Sequence, residues 1–333
     1  MHTSKTPWGH VLALVLGLGT LVSVALLTFA WPAVNVAPRA VPVALSAPAP
    51  VAAELTRTLD GVAPGAFAVT AADDRAAAVD LVEGRHVYGG LVAGPQGAEV
   101  LVASAAGPAV AQLLTDVAER LGEAQQRPVQ VTDVAPLPDD DPRGVGLAAG
   151  ALPLVLGGIA TASALRLRVP EPTRRVGGVL GAGAVGGIAM VAILQWLGVV
   201  SGAFWANVAV VALAITATAA ALLGLERLAG LPAMALGGAT VLLLGNSLSG
   251  LTSAPVLLPT GWGALGQLLP PGAAATALRS TAYFDGAGAT APLLVLAAWS
   301  VLGLALMVLP VRRRRADVPA ATPAPEPSTA GGR

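Results

Sequence analysis

The chain has 333 residues, 55% of them hydrophobic and only 11% charged, with zero formal net charge and no cysteine. Soluble domains carry about a quarter charged residues, so this composition speaks against a water-soluble fold, and a mean hydropathy of +0.72 agrees. A single lysine, Lys5, leaves no basic stripe for a nucleic-acid backbone, and the missing cysteines exclude disulfides, thiolate metal sites and a cysteine nucleophile.

The first apolar run, Val11 to Ala30, is long enough to cross a hydrocarbon core of about 30 Å as a helix and ends at Trp31-Pro32, an interfacial aromatic and a helix stop. Thr28-Phe29-Ala30 loosely resembles the cleavage site of a secretory leader. The apolar run exceeds the roughly 7 to 15 residues of a leader's core, so residues 1–33 are read as a cytoplasmic N-terminus and an uncleaved first span.

Residues 34–145 change character and hold most of the acidic residues, which predicts an extracytoplasmic α+β domain. Valine-rich segments at Val41–Leu45, Ala66–Thr70, Val87–Val92, Glu99–Ala103 and Val129–Val134 predict strands. Helical patterns at Pro50–Leu59, Asp73–Val82 and Pro108–Leu121 lie between them, giving the order β-α-β-α-β-β-α-β. The triplet Asp139-Asp140-Asp141 between prolines lacks the alternation of a calcium loop and reads as a solvated linker.

Apolar runs then return at Gly146–Leu165, Val176–Val199, Phe204–Leu225, Leu231–Leu251 and Ala291–Val311. With the first run, they predict an α-helical membrane protein of six transmembrane helices, residues 146–311 forming a five-helix bundle with a re-entrant segment over 252–288. Arg166, Arg168, Arg174, Arg175, Arg227 and Arg312 to Arg315 fall in alternate connections, which places those connections and both termini in the cytoplasm. Residues 312–333 are rich in Pro, Ala and Thr and read as a disordered cytoplasmic tail. Abundant Ala, Gly, Val and Arg with almost no Lys is the usage of a GC-rich bacterial genome, and the expected location is the bacterial plasma membrane.

Few residues carry chemistry. Gly181-Ala182-Gly183-Ala184-Val185-Gly186 matches a dinucleotide fingerprint but lies inside a predicted span, without the preceding strand that the motif needs. The pairs Gly177/Gly181 and Gly183/Gly187, each four apart, are expected to let helices approach closely. No Walker-type phosphate loop occurs, and His86 has no nucleophile motif to activate, so neither a catalytic centre nor a cofactor or metal site is predicted. Ionisable groups are missing from the middle of the spans, which disfavours an ion-driven pump; Gln195 and Asn246 are the polar exceptions.

The segment from Gly245 to Gly286 is too apolar for a free loop, and its prolines cut it into pieces shorter than a span. Its candidate functional residues are Asn246, Pro259, Trp262, Gln267, Pro270, Pro271, Gly272 and Arg279. Arg279 and Trp262 are expected to be the most sensitive, the arginine meeting an anionic headgroup or snorkelling to the interface. Leu258-Pro259 and Leu269-Pro270-Pro271-Gly272, with the order helix, outer domain, five helices, resemble the type-two ABC exporter permeases and the related phage-infection-protein group of bacterial membrane proteins. The runs Val87–Val92 and Val100–Ala105 are similar to that group as well. The resemblance implies a permease that dimerises and exports a hydrophobic or amphipathic compound with a separate ATP-binding subunit. The Leu165–Arg175 connection departs from the pattern, because Pro170 and Pro172 oppose a coupling helix there. A non-transporting envelope scaffold, secretion accessory or receptor is the alternative.

Overall fold

A computed structural model describes residues 7–94, 97–251 and 253–309. The expected tail over 312–333, Arg312 to Arg315, Lys5 and the end of the last apolar run lie outside the described residues. The fold is that of a helical membrane protein carrying a small mixed sheet.

Among the described residues, five helices are long and apolar enough to cross a bilayer: α1 (Trp8–Val34), α5 (Val145–Arg168), α6 (Pro172–Trp196), α7 (Phe204–Ala229) and α11 (Thr290–Val308). The fifth apolar run of the sequence does not make a sixth such helix. Helix α8 covers only Leu231–Thr240 and passes into a π-helical turn, Val241–Gly245, so the apolar helical stretch is about 22 Å long, short of the roughly 20 residues that a span needs. The physical reason is local. Ser247 Oγ bonds back to the Leu243 carbonyl, Ser249 Oγ bonds the Asn246 carbonyl at 2.8 Å, and Gly250 turns the chain at φ +70°. Small polar residues that satisfy backbone groups themselves stop a helix that hydropathy alone would extend.

Helix α7 is the centre of the bundle: 78% of its most apolar stretch is buried, against 33% or less for the other long helices. Gly183 and Gly187 of α6 lie against it, their Cα atoms facing Ala212 and the Val208 carbonyl so closely that a methyl group at either would collide. Gly303 of α11 lies against Ala220 in the same way. Gly177 and Gly181 correct the sequence reading: nothing lies within 4 Å of where their side chains would be. Gly181 and Gly183 are two residues, roughly 200°, apart around the helix, so only one of the two glycine pairs can face α7.

The sheet domain forms between α1 and α5. Strands β1 (Val41–Ser46), β2 (Phe67–Ala71), β3 (Gly89–Gly94), β4 (Gly97–Val102) and β5 (Gln130–Asp133) alternate with α2 (Ala49–Val62), α3 (Arg75–Glu83) and α4 (Pro108–Gln125) in the expected order. They pair as β2-β1-β3-β4-β5, parallel except for the β3–β4 hairpin. Alternation sorts the side chains. Val41, Val43 and Leu45 pack with Leu55, Leu59, Leu114 and Val117 of α2 and α4, while Ala44 and Leu101 turn to the other face, under Ala78 and Val82 of α3. Each core also takes a residue from near the bundle: Leu257 joins the first and Phe284 the second. The sheet domain is thereby docked on one end of the helices.

Candidate functional site

The proline-broken segment folds as a 3₁₀ turn (Pro255–Leu257), α9 (Trp262–Gln267) and α10 (Pro270–Tyr283). At about 9 and 21 Å, neither helix is long enough to span. Pro270 and Pro271 start α10, where a missing N–H costs no hydrogen bond. Most of α10 is buried among α5, α7 and α11. Gly266 and Gly272 let the segment fold on itself, Gly266 lying on the Leu248 carbonyl and Gly272 on the Gly266 carbonyl, with no room for a side chain at either.

Side chains satisfy the irregular backbone. Gln267 Nε2 donates to the Ser249 carbonyl at 3.1 Å, and its Oε1 accepts from Thr276 Oγ1 at 2.6 Å. Trp299 Nε1 donates to the Leu268 carbonyl at 2.8 Å. At the far end of α10, Tyr283 donates to the Val199 carbonyl at 2.6 Å and Ser201 to the Ala282 carbonyl at 2.7 Å. Non-helical backbone at membrane depth persists only when paired in this way or lining a cavity. Trp262 opens α9 against Trp31 of α1, ring centres 5.3 Å apart. Pro259 accepts from the Trp262 amide through its carbonyl at 2.9 Å and closes the turn before α9.

Beneath the sheet domain this folding leaves a cavity of about 490 Å³. Phe29 and Pro32 of α1 make one wall and Ala148 and Ala151 of α5 another, while Asn246 and Ser249 supply polar atoms from the broken helix. Ala109, the second residue of α4, sets the sheet domain on its rim. The volume is that of a small-molecule site, and apolar walls with a few convergent polar groups are its usual lining. Two residues that sequence reasoning missed shape this end. Asp141, 7% exposed, caps α5 by accepting from the amides of Val145 and Gly146 at 2.8 and 2.9 Å. Asn207, fully buried in α7, donates to the Ser201 carbonyl at 2.8 Å and accepts from Thr281 Oγ1 at 2.7 Å.

Arg279 does not snorkel to a surface. It is 3% exposed and donates to the Leu251 carbonyl at 3.3 Å. Beside it, Arg85 reaches from the turn after α3 to the Thr276 carbonyl at 3.1 Å and lies 5.2 Å from the Phe284 ring centre. Among the described residues neither arginine has a carboxylate partner. Burial first, and the Arg279 charge second, push the Arg85 guanidinium down to about 10. The sequence candidates therefore divide. Asn246 lines the cavity, Gln267 holds the carbonyl of its neighbour Ser249, Pro270, Pro271 and Gly272 shape the start of α10 outside the cavity lining, and Arg279 is buried beside Leu251.

Among the described residues no three His, Asp or Glu side chains gather as metal ligands. No family model, curated protein or solved structure matches the chain.

Proposed function

We propose that the chain is a permease-like protein of the bacterial plasma membrane that exports a hydrophobic or amphipathic compound together with a separate ATP-binding subunit. The observation that carries this reading is the 490 Å³ cavity, walled by apolar helices and edged by Asn246 and Ser249, which suits a molecule with an apolar body and a polar head. The broken α8 and the short α9 and α10 then form the fifth crossing and a re-entrant hairpin, giving six passes with both termini cytoplasmic. Support for that orientation is the clustering of Arg166, Arg168, Arg174, Arg175 and Arg227 at the helix ends remote from the sheet domain. Trp31, Trp196, Trp205 and Trp262 gather at the other end, as an interfacial aromatic belt would. The resemblance of Leu269-Pro270-Pro271-Gly272 and its setting to exporter permeases supports the choice of cargo and a dimeric assembly.

The native chain has no cysteine, so a single Ser249→Cys reports on the cavity alone. Its reaction with a lipid-soluble maleimide is expected to slow in the presence of a lysophospholipid and to be unaffected by a water-soluble phosphate ester. Equal protection by both would remove the amphiphile assignment.

A scaffold or receptor role has one observation in its favour. Helix α5 ends at Arg168 and α6 starts at Pro172, so no helix lies between them to grip an ATPase. Purification from native membranes in mild detergent separates the readings: a soluble ATPase in near-equal amount supports the permease, and envelope or secretion components without an ATPase support the scaffold.

A further inference from the structure

At the end of the bundle remote from the sheet domain, the last turns of α5 and α7 and the first turn of α6 bring three arginines around a cavity of about 260 Å³. Glu226, 8% exposed, is the one acidic residue in its lining among the described residues. Its carboxylate lies 3.0 Å from Arg166 Nε and 3.4 Å from Arg175 Nη1. Arg175 is otherwise committed, donating through Nε to the Val169 carbonyl at 2.6 Å and through Nη2 to the Arg166 carbonyl at 3.4 Å, which closes the C-terminus of α5.

The other two arginines each keep an Nε that has no acceptor among the described residues. Arg166 Nε is near enough to Glu226 for an ion pair, but its N–H is not aimed at the oxygen and has no hydrogen-bond acceptor. Arg227 Nε is buried with no acceptor at all among the described residues. Among the described residues, three guanidinium charges against one carboxylate leave two in excess around the cavity. The remaining lining is apolar, with Leu223, Met307, Pro170 and Pro172. A free inorganic anion has no use for that half of the surface.

We infer that this cavity binds the phosphate of an anionic phospholipid headgroup, with Arg227 and Arg166 as its donors and Leu223 and Met307 against the first carbons of the lipid. Guanidinium forks match phosphate oxygens, and basic pockets between spanning helices on the cytoplasmic side collect anionic headgroups. At 260 Å³ the space exceeds several times the roughly 30 Å³ share of one water, so it holds more than the phosphate alone. The assignment needs only that these helices end at a membrane surface, and it is independent of export.

The test is native mass spectrometry of the full chain released from detergent with phosphatidylglycerol or phosphatidylcholine added. A one-to-one phosphatidylglycerol adduct is expected, weakened about tenfold by Arg227→Gln, which is what loss of a charge-assisted contact delivers. Arg57→Gln removes an equal charge from the exposed face of α2 and is expected to leave the adduct unchanged. Arg166→Gln guards against misfolding of the first variant and is expected to weaken the adduct too. Equal adducts with both lipids, or equal loss from Arg57→Gln and Arg227→Gln, would overturn the site. Displacement of the lipid by millimolar inorganic phosphate at equal occupancy would overturn the lipid assignment and leave a phosphate site.

Discussion

Replacing Asp141 tests how the wall of the cavity beneath the sheet domain is held. The side chain is 7% exposed and accepts from three successive amides at the start of α5: Val145 at 2.8 Å, Gly146 at 2.9 Å and Leu147 at 3.4 Å. In Asp141→Ala these donors lose their acceptor where water cannot easily replace it. A lost cap costs about 0.5–2 kcal/mol and a buried orphan donor about 1–3 kcal/mol, so a net loss of about 2–4 kcal/mol is expected. Asp141→Asn keeps one acceptor oxygen but turns the other into an NH2 donor facing a backbone amide, so it gives up part of the cap, about 1 kcal/mol, as well as the charge at the positive end of the helix, about 0.3–1 kcal/mol, and is expected to fall between the wild type and Asp141→Ala. Unfolding in mixed micelles on titration with sodium dodecyl sulfate, followed by tryptophan fluorescence, reads both. Because α5 carries Ala148 and Ala151, Asp141→Ala is also expected to speed maleimide labelling of Ser249→Cys. Equal stabilities for the Ala and Asn variants would refute the cap.

Three other outcomes are expected. Gly303→Leu drives a side chain into the Ala220 backbone and is expected to cost at least about 1–3 kcal/mol in the same unfolding assay, while Gly181→Ala, with nothing within 4 Å, is expected to be neutral or to gain up to about 1 kcal/mol. Arg279→Met exchanges an unpaired buried charge for an apolar chain of similar length and is expected to change stability by less than about 1 kcal/mol; a loss of several kcal/mol would assign that charge a structural partner. In the sheet domain, Arg75 grips Glu99 at 2.7 and 2.8 Å and holds its carboxyl below the ordinary value. That stabilisation is complete above the ordinary carboxylate range and is lost as pH falls through the lowered folded value, so Glu99→Gln is expected to flatten acid unfolding in that window and leave neutral-pH behaviour little changed.

Local signals made much of the fold legible. Valine-rich strands alternate faces, and their spacing from helical patterns was enough to order all eight elements of the sheet domain. Apolar runs likewise located the five long helices. The fifth run misled because hydropathy averages over Gly245-Asn246-Ser247-Leu248-Ser249-Gly250, where the decisive events are hydroxyl-to-carbonyl bonds and a positive-φ glycine. Asp141 was hidden in a triplet that looked solvated, and only the approach of the α5 amides distinguishes it from Asp139 and Asp140. Arg279 looked like an interface residue because nothing local in its sequence announces that the sheet domain covers it. Asn246 and the proline-broken segment were found from composition alone, but the cavity beside them needs α1 and α5, which are distant in the chain.

Filling the cavity is the most direct test of export through it. Ala151→Trp places an indole among Phe29, Pro32 and Ser249, and export of a fluorescent lysophospholipid from cells expressing equal amounts of wild type and variant reads the result. Export by the wild type and its loss in Ala151→Trp are expected, with the variant still folded in the micelle assay. Undiminished export by a folded Ala151→Trp would contradict export through the cavity.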